Sequence, residues 1–263
     1  MPDVEQYTPG TPSWVDVSSP DPGAAAVFYA ALFDWDAGEP GDLETTGGYR
    51  MFSLHGRSVA GLGPSQEGVP PNWTTYVTVA DADATTAAVT AAGGTVLLEP
   101  MDVLDAGRMA VFTDPQGGAF AIWQPNAHIG AGTVNEPGSL CWNELATSDA
   151  AGAQAFYGAI FGWDGDTQES PMGPYTMLKL GENGIGGMRT LGPNDPPGVP
   201  PHWLTYFAVA DCAATAARIA QLGGTVRMDP MTIPAGTFTV ASDPHGAAFA
   251  VIQLAPGMGQ EAA

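Results

Sequence analysis

Basic side chains are scarce: seven Lys and Arg stand against 28 Asp and Glu in 263 residues, a formal charge of −21. Such a chain repels phosphates, which makes nucleic acid and anionic membrane poor partners; the charge would draw in a cationic small molecule, although an acidic surface more often serves plain solubility. Cysteine is limited to Cys141 and Cys212, which form no CxxC spacing, so a zinc knuckle or redox pair is unsupported and both read as buried small apolar residues. No apolar run approaches the ~18 residues of a membrane span, and the first residues show neither a basic start nor an apolar stretch. A soluble, cytoplasmic protein is the expectation. No GxSxG or Walker loop is present, and the glycine-rich stretches at Gly47-Gly48 and Gly184 to Gly187 read as turns rather than phosphate cradles. The four histidines share no ligand-like spacing. His55 and His245 lie in turns and read as solvated, His128 follows Pro125, and His202 opens a strand, where a site shared with Asp16 or Glu144 is a minor alternative.

What is present is a repeat, and repeats come before any other reading. Trp14, Asp21, Phe28, Tyr29, Phe33 and Trp35 each return 128 positions later, as Trp142, Asp149, Phe156, Tyr157, Phe161 and Trp163. Trp73 returns as Trp203, Gly93-Gly94 as Gly223-Gly224, and the Asp114 to Gly117 turn as Asp243 to Gly246, with the drift of one or two residues falling in loops.

Within each half the pattern is read twice more. Residues 1 to 10 form a polar leader, loosely held. Ser13 to Ser18 alternates as a strand does, with Trp14 and Asp16 on one side. Asp21 followed by Pro22 caps a helix that runs to Phe33 and turns Val27, Phe28, Ala31 and Leu32 to the core. Strands follow at Tyr49 to Leu54 and Ser58 to Leu62. After a connector from Gly63 to Pro71, Trp73 to Val79 alternates again, Asp81 caps a helix over 82–92 that Gly93-Gly94 ends, and three strands follow, at Thr95 to Leu98, Arg108 to Thr113 and Ala119 to Trp123. The expected fold is α+β: four strand–helix–three-strand (βαβββ) units from a tandem duplication, in domains at 11–125 and 139–255 joined by a linker at 126–138.

The strand–Asp–helix run carrying Phe28-Tyr29 and Phe33-x-Trp35, present in both halves, and the late Asp-Pro-x-Gly turn before an aromatic strand resemble the vicinal oxygen chelate superfamily, the glyoxalase, bleomycin-resistance and extradiol-dioxygenase group. The resemblance covers residues 11 to 255 and looks closest to tandem actinobacterial members. It implies paired βαβββ units curled into half-open barrels around a divalent metal. The family's ligand positions fall here on Trp14 and Trp142, Thr74 and Leu204, and Ala121 and Ala250. None supplies an imidazole or carboxylate, so no metal and no cofactor is expected.

The same strand parity assigns a ligand-binding lining: Trp14, Asp16, Thr74, Tyr76 and Trp123 in one cup, Trp142, Glu144, Leu204, Tyr206 and Ile252 in the other. Aromatic walls suit a planar, cationic ligand, although Trp14 and Trp142 could instead plug a cavity that has lost its use. Asp16 and Glu144, two residues along from the tryptophans, are candidate general bases or counter-ions, or else strand carboxylates paired with an amide or Arg. Three functions fit these residues. The first is metal-independent binding or sequestration of an aromatic natural product, an antibiotic or a polyketide such as an anthracycline. The second is a glyoxalase-like or tailoring enzyme (isomerase, lyase or hydroxylase partner) working through Asp16, Glu144 or a relocated metal. The third is an interaction module with a vestigial cavity. A homodimer fits the resemblance; which units pair is left open.

Overall fold

The computed structural model describes residues 4–170, 173–193 and 195–258. In chain order the first half forms β1 (Pro12–Ser19), α1 (Pro22–Phe33), β2 (Asp36–Ala37), α2 (Leu43–Thr46), β3 (Arg50–Leu54), β4 (Arg57–Pro64), β5 (Asn72–Thr78), α3 (Ala82–Ala91), β6 (Thr95–Val103), β7 (Gly107–Thr113) and β8 (Ala119–Pro125). The second half forms β9 (Leu140–Thr147), α4 (Ala150–Phe161), β10 (Asp164–Ser170), β11 (Gly173–Leu180), β12 (Asn183–Thr190), β13 (His202–Ala208), α5 (Cys212–Gln221), β14 (Thr225–Val226), β15 (Met231–Ile233), β16 (Gly236–Ser242) and β17 (Ala248–Leu254).

Each half builds one mixed sheet, in the order β2-β3-β4-β1-β5-β8-β7-β6 and β10-β11-β12-β9-β13-β17-β16-β14, with β15 beside β16. The α+β arrangement of four βαβββ units is therefore present, and neighbouring units in sequence pair with each other. The seam is β1 against β5 and β9 against β13, both antiparallel, flanked by the parallel pairs β1 with β4 and β5 with β8. The fourth unit departs from the pattern where β14 and β15 stand as two short strands in place of the single β6 of the second unit.

Each long helix starts on an aspartate. Asp21, Asp81, Asp149 and Asp211 accept from the amide three residues on at 2.9–3.0 Å, satisfying an amide that the helix itself leaves unpaired. The buried face of α1 differs from the expected stripe: Val27 is 71% exposed, while Ala25, Phe28, Tyr29 and Phe33 are buried. The stripe is centred on Tyr29, whose hydroxyl finds a buried partner and so can go inside. Residues 4–10 are also tied down. Val4 N–H donates to Gly132 O, Tyr7 OH donates to Ala131 O, and Gly10 O accepts from Trp163 Nε1 at 2.6 Å. Gly184, Gly186 and Gly187 lie in strand β12 rather than in a turn.

The repeated motifs meet across the two halves. Tyr29 on α1 donates to Asp243 Oδ2 (3.1 Å) of the other half and accepts from Trp73 Nε1 (3.0 Å). Tyr157 on α4 repeats this with Asp114 (3.0 Å) and Trp203 (3.0 Å). Each aspartate uses its second oxygen to knot its own Asp-Pro-x-Gly turn, at 2.8–3.0 Å. Phe28 packs on Phe249, and Phe156 on Phe120, so each half closes part of the other's core.

Candidate functional site

One face of each sheet carries one carboxylate beside the seam. In the first cup, Trp14 lies opposite Tyr76 and Asp16 opposite Thr74 across β1 and β5. Asp16 Oδ2 accepts from Tyr76 OH at 2.8 Å and from Tyr49 OH at 3.1 Å, and Tyr49 in turn accepts from Trp14 Nε1 at 3.1 Å. Thr74 supplies a further side-chain hydrogen bond. No cation contacts this carboxylate among the described residues. Burial pushes its carboxyl up to about 6, and the three hydroxyls, which favour the ionised form, only partly offset that. Asp16, Tyr49 and Thr74 are half-buried, whereas Trp14, Tyr76 and Trp123 behind them are 3–6% exposed.

His128 closes this wall. Its ring meets Trp14 edge-on at a centroid distance of 4.6 Å, and its carbonyl accepts from Trp123 Nε1 at 2.7 Å. Desolvation lowers its pKa to about 4, so the imidazole is neutral at physiological pH, and its Nε2 is buried without a hydrogen-bond partner. Position along the chain alone did not single it out. His245, expected in water, is half-buried with its own Nε2 unpartnered.

The second cup repeats the relay and changes its charge. Trp142 Nε1 donates to Tyr175 OH at 3.0 Å, and Tyr175 and Tyr206 bond to Glu144. Here, however, Arg189 Nε donates to Glu144 Oε1 at 3.2 Å, and both terminal nitrogens of Arg189 clamp Asp195 at 2.7 and 3.0 Å. Glu144 is 8% exposed and its carboxyl is raised by burial, with Arg189 pulling the other way. Asp195 is held low by the guanidinium. Leu204 replaces Thr74, and Ile252 replaces Trp123. His202 lies at the outer end of the ion-pair chain, bonded through Nδ1 to Pro200 O and acting on Asp195. Tyr49, Tyr175 and Arg189 were missed from the sequence. The tyrosines had a signal, since each follows a glycine-bearing turn at an offset of 126.

Family models match both halves: a glyoxalase-like domain over residues 14–123, and the glyoxalase/bleomycin resistance protein/dioxygenase superfamily over 139–251. CFP32 of Mycobacterium tuberculosis is 45% identical over 97% of this chain and 99% of its own length. The chain belongs to the glyoxalase/bleomycin resistance/dioxygenase superfamily. The anthracycline biosynthesis protein DnrV of Streptomyces peucetius is 41% identical, covering 97% of each chain. The fold is shared with an Mn(II)-bound glyoxalase from Novosphingobium aromaticivorans, at TM-score 0.66 and 17% identity over 93% of this chain and 82% of that one. It is shared likewise with the 2,3-dioxygenase LapB from Pseudomonas sp. KL28, at TM-score 0.65 and 14% identity over 92% and 91%.

The Mn(II) of the Novosphingobium glyoxalase makes a divalent ion the group to set against this donor set. Tyr76 pairs with Ala121 as Asp16 pairs with Gly61, which adds Gly61 to Trp14, Thr74 and Ala121 as the four ligand-equivalent positions. Gly187 completes Trp142, Leu204 and Ala250 in the same way. A Cβ at Gly61 would lie 1.8 Å from Tyr49 OH, and at Gly187 1.8 Å from Tyr175 OH, so a carboxylate there is shut out by the tyrosine. Among the described residues no three His, Cys, Asp or Glu side chains converge. These residues do not fit a divalent ion. Also among them, no helix is long and apolar enough to cross a membrane.

Proposed function

We propose that this chain is a metal-independent small-molecule binding protein that holds a planar, amine-bearing natural product at its first cup. The observation that carries the reading is Asp16: a half-buried carboxylate, bonded to Tyr49 and Tyr76 and without a cationic partner, beside an indole wall. A ligand ammonium would replace the water lost by the carboxylate, and the aromatic surface would take the rings. The net charge of −21 adds long-range attraction for a cation. The relatives DauV and DnrV, both named for anthracycline biosynthesis, point to the same class of ligand.

Titration of tryptophan fluorescence with an aminoglycosylated anthracycline tests this. Trp14→Ala is expected to weaken binding by about 1 to 3 kcal/mol if its ring meets the ligand, and an unchanged affinity would retire the reading. His128 covers that ring, so His128→Ala is expected to tighten binding several-fold; a loss of affinity would make the imidazole part of the binding surface instead.

A second reading has its own support. A carboxyl raised to about 6 is tuned toward proton abstraction near neutral pH, so Asp16 also suits a tailoring enzyme's general base. Glu144 is raised by burial too, but it is 8% exposed and its Oε1 is already paired with Arg189, so it is poorly placed to take a ligand's proton. Asp16→Asn would then abolish turnover of an anthracycline precursor while leaving its binding measurable; turnover by this variant would remove Asp16 from that role.

A further inference from the structure

The tryptophan–tyrosine–carboxylate relay recurs in both cups, but Asp16 and Thr74 of the first stand where Glu144 and Leu204 stand in the second, and only the second holds a cation, Arg189, on its acid. Arg189 on β12 is the strand partner of Tyr175 on β11 and lies next to Glu144. Its counterpart on β4 is Gly63, since Ser18 pairs with Gly63 as Ala146 pairs with Arg189. A Cβ at Gly63 would meet only the ring of Tyr49, at 3.4 and 3.9 Å, and the residue does not adopt a left-handed backbone. Nothing in the local geometry requires glycine there, so the difference in charge between the cups rests on this one position.

We propose that Arg189 is a built-in counter-ion that closes the second cup to cationic ligands, so that the chain takes one such ligand, at the first cup, where Gly63 leaves Asp16 uncompensated. This rests on the reading of the first cup as an amine receptor and adds which cup is used and why. The guanidinium spends Nε on Glu144 and both terminal nitrogens on Asp195, whose carboxylate also accepts from Gly192 N–H at 2.7 Å. The three groups form a closed network of fixed geometry, and an entering ammonium would meet a resident cation at the carboxylate it needs. The first cup presents the same tyrosines and tryptophan with no resident cation. Glu144 is also the more deeply covered of the two acids, 8% exposed where Asp16 is half-buried.

The experiment is a calorimetric titration of the full chain with proflavine, a planar cation, and with acridone, its neutral relative, each variant being checked for an intact thermal transition. The wild type is expected to take one proflavine per chain and Arg189→Gly two. Gly63→Arg should weaken the first site at least tenfold. The double variant should bind once, at a site lost on Trp142→Ala. Two sites in the wild type, or one site retained by Arg189→Gly, would overturn the proposal, and the Arg189 variant decides the matter if Gly63→Arg does not fold. Acridone binding as tightly as proflavine, with Gly63→Arg silent, would overturn the charge argument and leave the cup reading standing. No binding by the wild type alongside one site in Arg189→Gly would reject the first-cup reading and leave the role of Arg189. No binding by either would reject both.

Discussion

Asp16 holds its proton more tightly in the folded chain than out of it. The folded carboxyl titrates at about 6 against an ordinary 3.8, so between those values the native state keeps a proton that the unfolded chain has released. Its contribution to stability is therefore full below about pH 4 and is lost as pH rises through 6, by about 3 kcal/mol at most. Chemical denaturation of wild type and Asp16→Asn at pH 4 and pH 7 should show the difference between them shrink or reverse as the pH rises. A difference that stays constant would mean that Tyr49, Tyr76 and Thr74 hold the carboxylate ionised. At this scale the sequence showed much of the site. Strand parity alone put Trp14, Asp16 and Tyr76 on one face, as the hydrogen bonds now join them. It did not show Tyr49 or Arg189, because these come from β-hairpins whose register depends on loop lengths that no periodicity reports. Nor did it show His128, which reaches Trp14 from irregular chain after β8.

Strands β4 and β12 are shaped by what sits beside them. Gly61 and Gly187 have ordinary strand backbones, so neither is there for a turn; each leaves room for a tyrosine hydroxyl. Gly61→Ala should push Tyr49 away from Asp16 and cost about 1 to 3 kcal/mol through overpacking and a broken buried hydrogen bond. In a Tyr49→Ala background, which removes both the hydroxyl and the Cζ that crowd the new Cβ, Gly61→Ala should cost much less in a thermal melt, and an undiminished cost would argue that the strand itself is what suffers. From the sequence, Gly184 to Gly187 read as a turn because glycine more often marks turns than close approach. The Asp caps were plain, since Asp before a small-residue helix has a local cause and a local effect. The stripe on α1 was not, because a tyrosine counts as half polar until its partner is known, and Asp243 lies 214 residues away.

Across the whole molecule, the motifs that carried the family resemblance turn out to be one another's partners. The aromatic pair of each helix and the Asp-Pro-x-Gly turn of the opposite half meet between the halves. Tyr157→Phe removes a hydroxyl that serves both Asp114 and Trp203, leaving two buried polar groups unmatched, and should lower stability by about 1 to 3 kcal/mol. With Tyr29→Phe added, calorimetry is expected to show two unfolding transitions where the wild type shows one; one transition in both would mean that the apolar packing alone couples the halves. The duplication was legible from near-constant offsets of 128 to 130, and the unit count from the pattern that recurs within each half. How the units pair was not, since a repeat is silent about which copy lies next to which.

The mutual closure of the halves also bears on how such a chain can change over time. Neither copy can be discarded, because each seals the other's interior with its own helix. A second cup whose acid is already paired with Arg189 is thus still needed as scaffold, whether or not it takes a ligand.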